Sequence, residues 1–319
     1  MSKDHRAACL RSFRLGRQAK RERLATMRYL YQVPAGEPVV LDGFLEQRTP
    51  FGLERVRRLV DFGSVYVDGR VERDPSRMLM PGQKVTLTVP YYGTNRFYSI
   101  EPSRILYRDP WILAYDKEPG IPCQPTPHDA HNNLFAALRE YLGRTEGDVP
   151  YLALHHRLDR ETSGVMLLSL SEEANRALAA AFRERRVEKR YLAVVCADPQ
   201  EDSWIDDRPI TRSEGRYRCA RDGEKGKEAS TEFRVLERRG GLALLEARPK
   251  TGRTHQIRVH LADRGLPVLG DVRYRGRPFS RLMLHAWRLS LAHPVTGEPL
   301  TVEASPPEGF VSNATVPAS

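Results

Sequence analysis

From residue 39 to residue 89 the apolar positions fall first at helical and then at alternating spacing. Leu41, Phe44 and Leu45 share one helical face. Leu53, Val56, Leu59 and Val60 repeat it, with Arg55, Arg57 and Arg58 between them. Gly63 stops this second helix. Val65 and Val67 then alternate ahead of an Asp68-Gly69 turn, Pro81-Gly82 turns again, and Val85, Leu87 and Val89 alternate as a strand. These signals predict a compact module over residues 37–90, an arm before it over 1–36, and a linker over 91–103.

A larger domain is predicted over 104–305. Its strands read as 104–107, 111–116, 165–170, 189–196, 229–237 and 242–248, the last two joined at Gly240-Gly241. Its helices read as 132–142, 172–186 and 254–263. Ser171 is a good cap for the second, with Glu172 and Glu173 in its first turn. Thr254 reads as the cap of the third, which would bury Ile257 and Leu261 and set Arg258 at the edge of that stripe. Strands dominate, without a regular strand-helix-strand alternation, so the fold class is α+β with a predominantly antiparallel mixed sheet. The polar stretch 199–228 reads as a loop or mobile insertion, and residues 306–319 as a weakly patterned tail.

Charge adds a partner class. The 319 residues carry 51 Lys and Arg against 41 Asp and Glu, a net charge of +10. Lys3, Arg6, Arg11, Arg14, Arg17, Lys20, Arg21 and Arg23 face only Asp4 and Glu22 within the first 25 residues, so the excess is concentrated there. Such an arm is suited to phosphates or is simply solvated. No Trp- or Leu-rich face accompanies it, which argues against a membrane surface. No apolar run approaches the roughly 18–20 residues of a membrane span, and the basic start lacks the core of a secretory signal. Cys9, Cys123, Cys196 and Cys219 form no Cys-x-x-Cys pair, so the expectation is a soluble protein of the reducing cytoplasm.

The stretch His155-His156-Arg157-Leu158-Asp159-Arg160-Glu161-Thr162-Ser163-Gly164 places an acid between two arginines, just before an apolar strand. A strand edge is a rigid place from which to present a side chain. On the residues alone several readings stand. The charges can form a structural salt-bridge cluster of small net value. A hydrolase using Ser163, His156 and Asp159 is disfavoured by their closeness in sequence and by the missing Gly-x-Ser-x-Gly turn. His255, His260, His285 and His293 lack metal-binding spacing. Gly223 to Gly226 is not a phosphate loop.

Two resemblances sharpen this. Leu41-Asp42, Arg57-Arg58-Leu59-Val60 and Gly63-Ser64-Val65-Tyr66-Val67-Asp68-Gly69 resemble the alpha-L RNA-binding module of a small-subunit ribosomal protein. That resemblance implies a small α/β unit whose helices offer Arg55, Arg57 and Arg58 to an RNA backbone. The alternative is a solvated helix face. His156 to Gly164 resembles the signature of the RluA-type pseudouridine synthases. Ile105 to Lys117, Lys189 to Ala193, Arg248 to Leu261, Pro267 to Asp271 and Leu284 to Trp287 resemble the family's other blocks, in family order. One departure is visible. The family's Asn-Lys-Pro-x-Gly stands here as Asp116-Lys117-Glu118-Pro119-Gly120, followed by further prolines to Gln124 and Pro125. This alters a block expected to shape the pocket rim and the target preference.

The family resemblance implies an isomerase that converts uridine within RNA to pseudouridine, needing neither cofactor nor metal. It implies Asp159 as the catalytic carboxylate, Arg258 as its basic partner, and Tyr191 as the aromatic that packs on the base and assists proton removal from carbon 5. Arg157 would fill the gap left by the extruded base, an extrusion costing on the order of a few kcal/mol. Ile257 would line the base pocket. Ribosomal RNA is the favoured partner over transfer RNA, for a monomer with no obligate protein partner. The competing class is a catalytically silent RNA-binding protein acting on RNA folding or ribosome assembly.

Overall fold

A computed structural model describes residues 27–89, 98–126, 131–147, 151–213, 215–307 and 309–310. The basic residues 3–23 and Cys9 lie outside the described residues, as do most of the 91–103 linker and the tail beyond 310. No helix among the described residues is long and apolar enough to cross a membrane.

The first unit runs β1 (Met27–Gln32), β2 (Val39–Val40), α1 (Leu41–Arg48), α2 (Leu53–Asp61), β3 (Val65–Val67), β4 (Arg70–Glu72), β5 (Met78–Leu79) and β6 (Lys84–Val89). Four strands form a sheet in the order β1-β6-β3-β4, and β2 pairs separately with β5. The apolar faces of the two helices close on this sheet, so Leu41, Leu45, Val56, Val60, Val65 and Leu87 share one buried cluster. A fully buried Leu or Val of this kind contributes about 1.5–3 kcal/mol. Gly63 carries the positive φ of 70° that ends α2, and Asp68 and Gly69 form the turn between β3 and β4 with φ of 49° and 81°. The segment read as arm is shorter than 1–36, because Met27 to Gln32 pairs along its whole length with β6.

The larger unit contains β7 (Ile105–Arg108), β8 (Ile112–Lys117), α3 (Leu134–Glu146), β9 (Ala153–Leu154), β10 (Ser163–Ser169) and α4 (Glu172–Arg183). It continues with β11 (Glu188–Val195), β12 (Ser203–Asp206), β13 (Ile210–Ser213), β14 (Arg216–Cys219), β15 (Thr231–Arg239) and β16 (Leu242–Pro249). It ends with α5 (Gln256–Asp263), β17 (Leu284–Ala292) and β18 (Pro299–Glu303). The sheet runs β12-β15-β16-β11-β17-β10-β8-β7, with β9 on β10 and β18 on β17. Pairing is antiparallel throughout except between β10 and β17, which gives the α+β class a mixed sheet. Ser171 caps α4 by accepting from the Ala174 N–H. The linker's end is not free: the Tyr98 hydroxyl contacts both the Tyr115 hydroxyl and Glu118, and residues 102–104 form a 3-10 turn.

Three local expectations are corrected. Residues 199–228 are not a featureless loop: β12 extends the main sheet and β13 and β14 make a hairpin. The third helix starts two residues late and is not capped by Thr254. His255 occupies the cap position with a left-handed φ of 59° and no side-chain cap bond. Arg258 is not at an edge, since every residue from Gln256 to Leu261 is buried.

Gly164 decides how β10 meets β17. Its φ is +111°, and a Cβ there would be driven into the backbone carbonyl of Ala286 across the parallel pair. Gly164→Ala is therefore expected to cost about 2–5 kcal/mol from backbone strain and forced separation together. The urea midpoint measures this, and an unchanged midpoint would refute the close approach.

Candidate active site

Asp159 stands in a tight turn between β9 and β10, closed by a hydrogen bond from the Thr162 N–H to its own carbonyl at 3.0 Å. The loop is fastened from two sides. On the strand side His156 Nε2 accepts from the Leu167 N–H at 2.9 Å, and the ring stacks on Phe182 at 5.0 Å. Burial pushes the His156 pKa down to about 3, with nearby Lys189 and His155 adding, so the ring is a neutral acceptor. On the other side Gly120 and Arg160 exchange bonds: the Gly120 N–H donates to the Arg160 carbonyl and Arg160 Nε to the Gly120 carbonyl, both at 2.8 Å. Lys117 Nζ donates to the carbonyls of Glu118, Ile121 and Arg160. Its burial drives its pKa down to about 8.

This relocates the role of the altered first block. None of residues 116–125 lines the cavity beside Asp159. Lys117, Gly120 and Cys123, whose Sγ meets the Leu158 N–H and carbonyl at 3.3 Å, instead brace the underside of the Asp159 loop.

Helix α5 supplies the facing side. Arg258 Nη1 donates to Asp159 Oδ2 at 2.9 Å, while Nε and Nη2 fork onto Asp271 at 2.6 and 2.9 Å. The Arg258 and Asp271 side chains are 8% and 1% exposed, so the fork is out of water. Burial opposes the guanidinium charge, but the bonds and charges of Asp271 and Asp159 outweigh it and raise the pKa. Tyr274 packs under the guanidinium, 5.1 Å from its ring centre, and its hydroxyl meets His255 Nδ1 at 2.7 Å. His255 Nε2 lies 3.8 Å from Asp159 Oδ2. Burial pushes the His255 pKa to about 4, Arg258 and Arg273 adding to this and Asp159 opposing it. The imidazole is therefore neutral, and Arg258 is the charged partner of Asp159. Both contacts converge on Oδ2, and among the described residues no hydrogen bond reaches Oδ1.

The loop and α5 border a cavity of about 450 Å³ that also takes in Tyr191, Ile257, Leu284 and Arg157. That volume falls within the usual range for small-ligand sites. Tyr191 is half-buried on β11, its phenol pKa raised by burial and by the Asp159 charge. Arg157 is exposed at the rim. Asp159, Tyr191, Arg258, Arg157 and Ile257 thus meet around one space, although Asp159 and Arg258 are 99 residues apart. Arg55, Arg57 and Arg58 do not join them. On α2, Arg55 lies over the Phe51 ring at 4.5 Å, Arg57 pairs with Asp42 at 2.8 Å and Arg58 with Glu54 at 3.0 Å. The Arg57 side chain keeps 57% of its surface exposed.

Sequence reasoning missed Asp271, Tyr274 and His255. The Pro267 to Asp271 block drew attention to Asp271, but a partner 13 residues away leaves no local periodicity to read. Another unforeseen cluster is Asp206, Cys219 and His260, whose donor atoms lie within 4.8 Å of one another. These groups already have partners. Asp206 is forked by Arg208, and the His260 ring nitrogens meet the Thr231 hydroxyl and the Arg208 carbonyl. As placed, the cluster works as a hydrogen-bonded tie between β12 and α5.

Comparison with known proteins agrees on one family. Residues 112–263 match the family described as RNA pseudouridylate synthase. The chain is 36% identical over 297 residues to an RNA pseudouridine synthase of Aquifex aeolicus, described as uncharacterized, covering 87% of this chain and 93% of the relative. It is 31% identical over 289 residues to the ribosomal large subunit pseudouridine synthase D of Pasteurella multocida, covering 85% and 89%. Among solved structures, human RNA pseudouridylate synthase domain containing 4 superposes with a TM-score of 0.55 at 27% identity, over 66% of this chain and 90% of that one.

Proposed function

Since this chain belongs to the RluA-type RNA pseudouridine synthases, which are isomerases, we propose that it converts uridines of structured ribosomal RNA to pseudouridine, with Asp159 as the reacting carboxylate. The observation that carries the reading is the Asp159–Arg258 pair at the cavity wall. Arg258 holds one carboxylate oxygen, no hydrogen bond among the described residues reaches the other, and Asp159 and Tyr191 line the same cavity. Arg258 at 2.9 Å gives the carboxylate a fixed counter-charge and holds its orientation.

The reaction breaks the bond between C1′ and N1, turns the uracil, joins C1′ to C5, and removes the C5 proton. Asp159 serves the first stage through the oxygen that Arg258 does not hold. Tyr191 packs on the uracil during the turn. Once C1′ is joined to C5, the C5 proton leaves through the Tyr191 hydroxyl, which passes a proton on to solvent, and N1 takes up a proton in return, so the product is an isomer of the substrate. Ile257 and Leu284 give the base an apolar seat. Arg157, exposed at the rim, stacks in the gap that the extruded base leaves.

Ribosomal RNA is favoured because the Pasteurella relative is named for the large ribosomal subunit and because the 27–89 unit resembles a ribosomal RNA-binding module. The reading takes the protein as a monomer acting in the cytoplasm, where ribosomes are made. Mapping pseudouridine in cells with and without the gene tests this: a large-subunit site should vanish and return with the wild-type gene. Loss confined to transfer RNA would redirect the assignment.

The first 89 residues are assigned to RNA affinity. Their removal is expected to weaken binding and to flatten its salt dependence, each lost phosphate contact lowering the slope of log K against log salt by roughly 0.7–0.9. A slope unchanged on truncation would remove the basic arm and α2 arginines from the interface.

A further inference from the structure

Most cations lining the cavity already hold an acceptor. Arg258 is shared by Asp159 and Asp271, Lys250 pairs with Glu232 at 3.1 Å, Arg185 forks onto Glu228, and Arg253 donates to the Glu228 carbonyl. Lys189 differs. It lines the same cavity half-buried, yet among the described residues no carboxylate lies within ion-pair distance and no carbonyl accepts from its ammonium. Its surroundings are neutral or positive: the uncharged His156 ring and the Arg185 guanidinium. Burial first and Arg185 second push its pKa below the ordinary lysine value. A half-buried cation held in this way beside another cation is stabilised when an anion arrives.

Its position says which anion. Lys189 and Tyr191 stand two residues apart on β11, about 6.8 Å along the strand, and although the pairing with β17 shifts register between Arg190 and Tyr191, both side chains open on one cavity. With the target uracil against Tyr191, the ammonium lies beside the backbone of that nucleotide. We propose that Lys189 is a phosphate anchor, taking the phosphodiester that adjoins the target uridine while Tyr191 packs on the base. This rests on the uridine-isomerising reading of the cavity. It makes recognition of the flipped nucleotide two-pointed, base and phosphate, before Asp159 acts. Free uridine, lacking the phosphate, is then a poor ligand.

The test uses the full chain as wild type, Lys189→Gln and Lys189→Arg. Ribosomal RNA transcripts and a transfer RNA pool, both tritiated at uracil carbon 5, report turnover by tritium release. Poly(U) binding across a salt series reports phosphate contact independently. Lys189→Gln should raise KM about tenfold or more, the scale of one charge-assisted hydrogen bond. Its kcat at saturating RNA should stay within about threefold, and its poly(U) salt slope should become shallower by about 0.7. Lys189→Arg should restore the slope and most of KM. Unchanged KM and slope would overturn the anchor. So would a fall in kcat alone, which would put Lys189 in the chemistry, or a loss that arginine does not rescue, which would make it a packing residue. If wild type releases no tritium from either RNA, the substrate reading fails, and the poly(U) slope still decides the anchor.

Discussion

Asp159→Ala will abolish pseudouridine formation, by at least about 10⁴-fold if the carboxylate is the reacting group, and will leave RNA affinity within a few-fold. The structure separates the two effects. Asp159 and Arg258 both border the cavity, and Asp159 is the more open of the two, with 17% of its side chain exposed against 8%. Removing it leaves Arg258 still forked by Asp271, so α5 keeps its seat. The cavity also becomes more positive, which does not disfavour a polyanion. Asp159→Asn preserves shape and removes only the charge, and it is expected to be equally inactive. Tritium release from carbon 5, alongside RNA binding by the same preparations, measures both quantities. Retained turnover in the asparagine variant would show that no carboxylate is needed there.

Arg258→Met will cost activity and fold together. The substitution strands Asp271, whose side chain is 1% exposed, without its counter-charge. Breaking one side of a buried pair in this way costs about 3–5 kcal/mol. The double variant Arg258→Met with Asp271→Leu removes both charges, and such replacements are commonly neutral or stabilising by about 1–4 kcal/mol. The double variant should therefore regain the urea midpoint that the single variant loses, while remaining inactive because Asp159 has lost its charged partner. Recovery of activity along with stability would mean that Arg258 only holds the fold.

The elements that sequence reasoning placed well are those whose signal is local. Leu53, Val56, Leu59 and Val60 recur at helical spacing and end at a glycine with positive φ, and α2 stops there. Gly240 and Gly241 mark the β15–β16 turn in the same way. The hairpin β13–β14 escaped notice because Ile210 to Ser213 and Arg216 to Cys219 are short and mostly polar. Strand β17 escaped because buried polar His285 interrupts its apolar run. The start of α5 was misplaced because Thr254 is a good cap by residue type, whereas the chain turns through a left-handed His255. Within the site, Asp159, Tyr191 and Arg258 were legible only through family resemblance. Periodicity gave no hint that residues 159, 258 and 271 would converge, since their pairing is set by the order of strands in the sheet.

Strand β17 carries a consequence for how the molecule is made. The sheet order places it between two halves, β12-β15-β16-β11 on one side and β10-β8-β7 on the other. Asp159 belongs to one half, Tyr191 to the other, and the strand that joins them, Leu284–Ala292, follows both in sequence. During synthesis, at roughly 5–20 residues per second, each half can form its own hairpins from contacts close in sequence. The cleft between them cannot close until residues 284–292 have left the ribosome. Contacts this distant in sequence form late and slowly. A nascent chain is thus unable to modify RNA until strand β17 has emerged, so competence to react waits on that one strand.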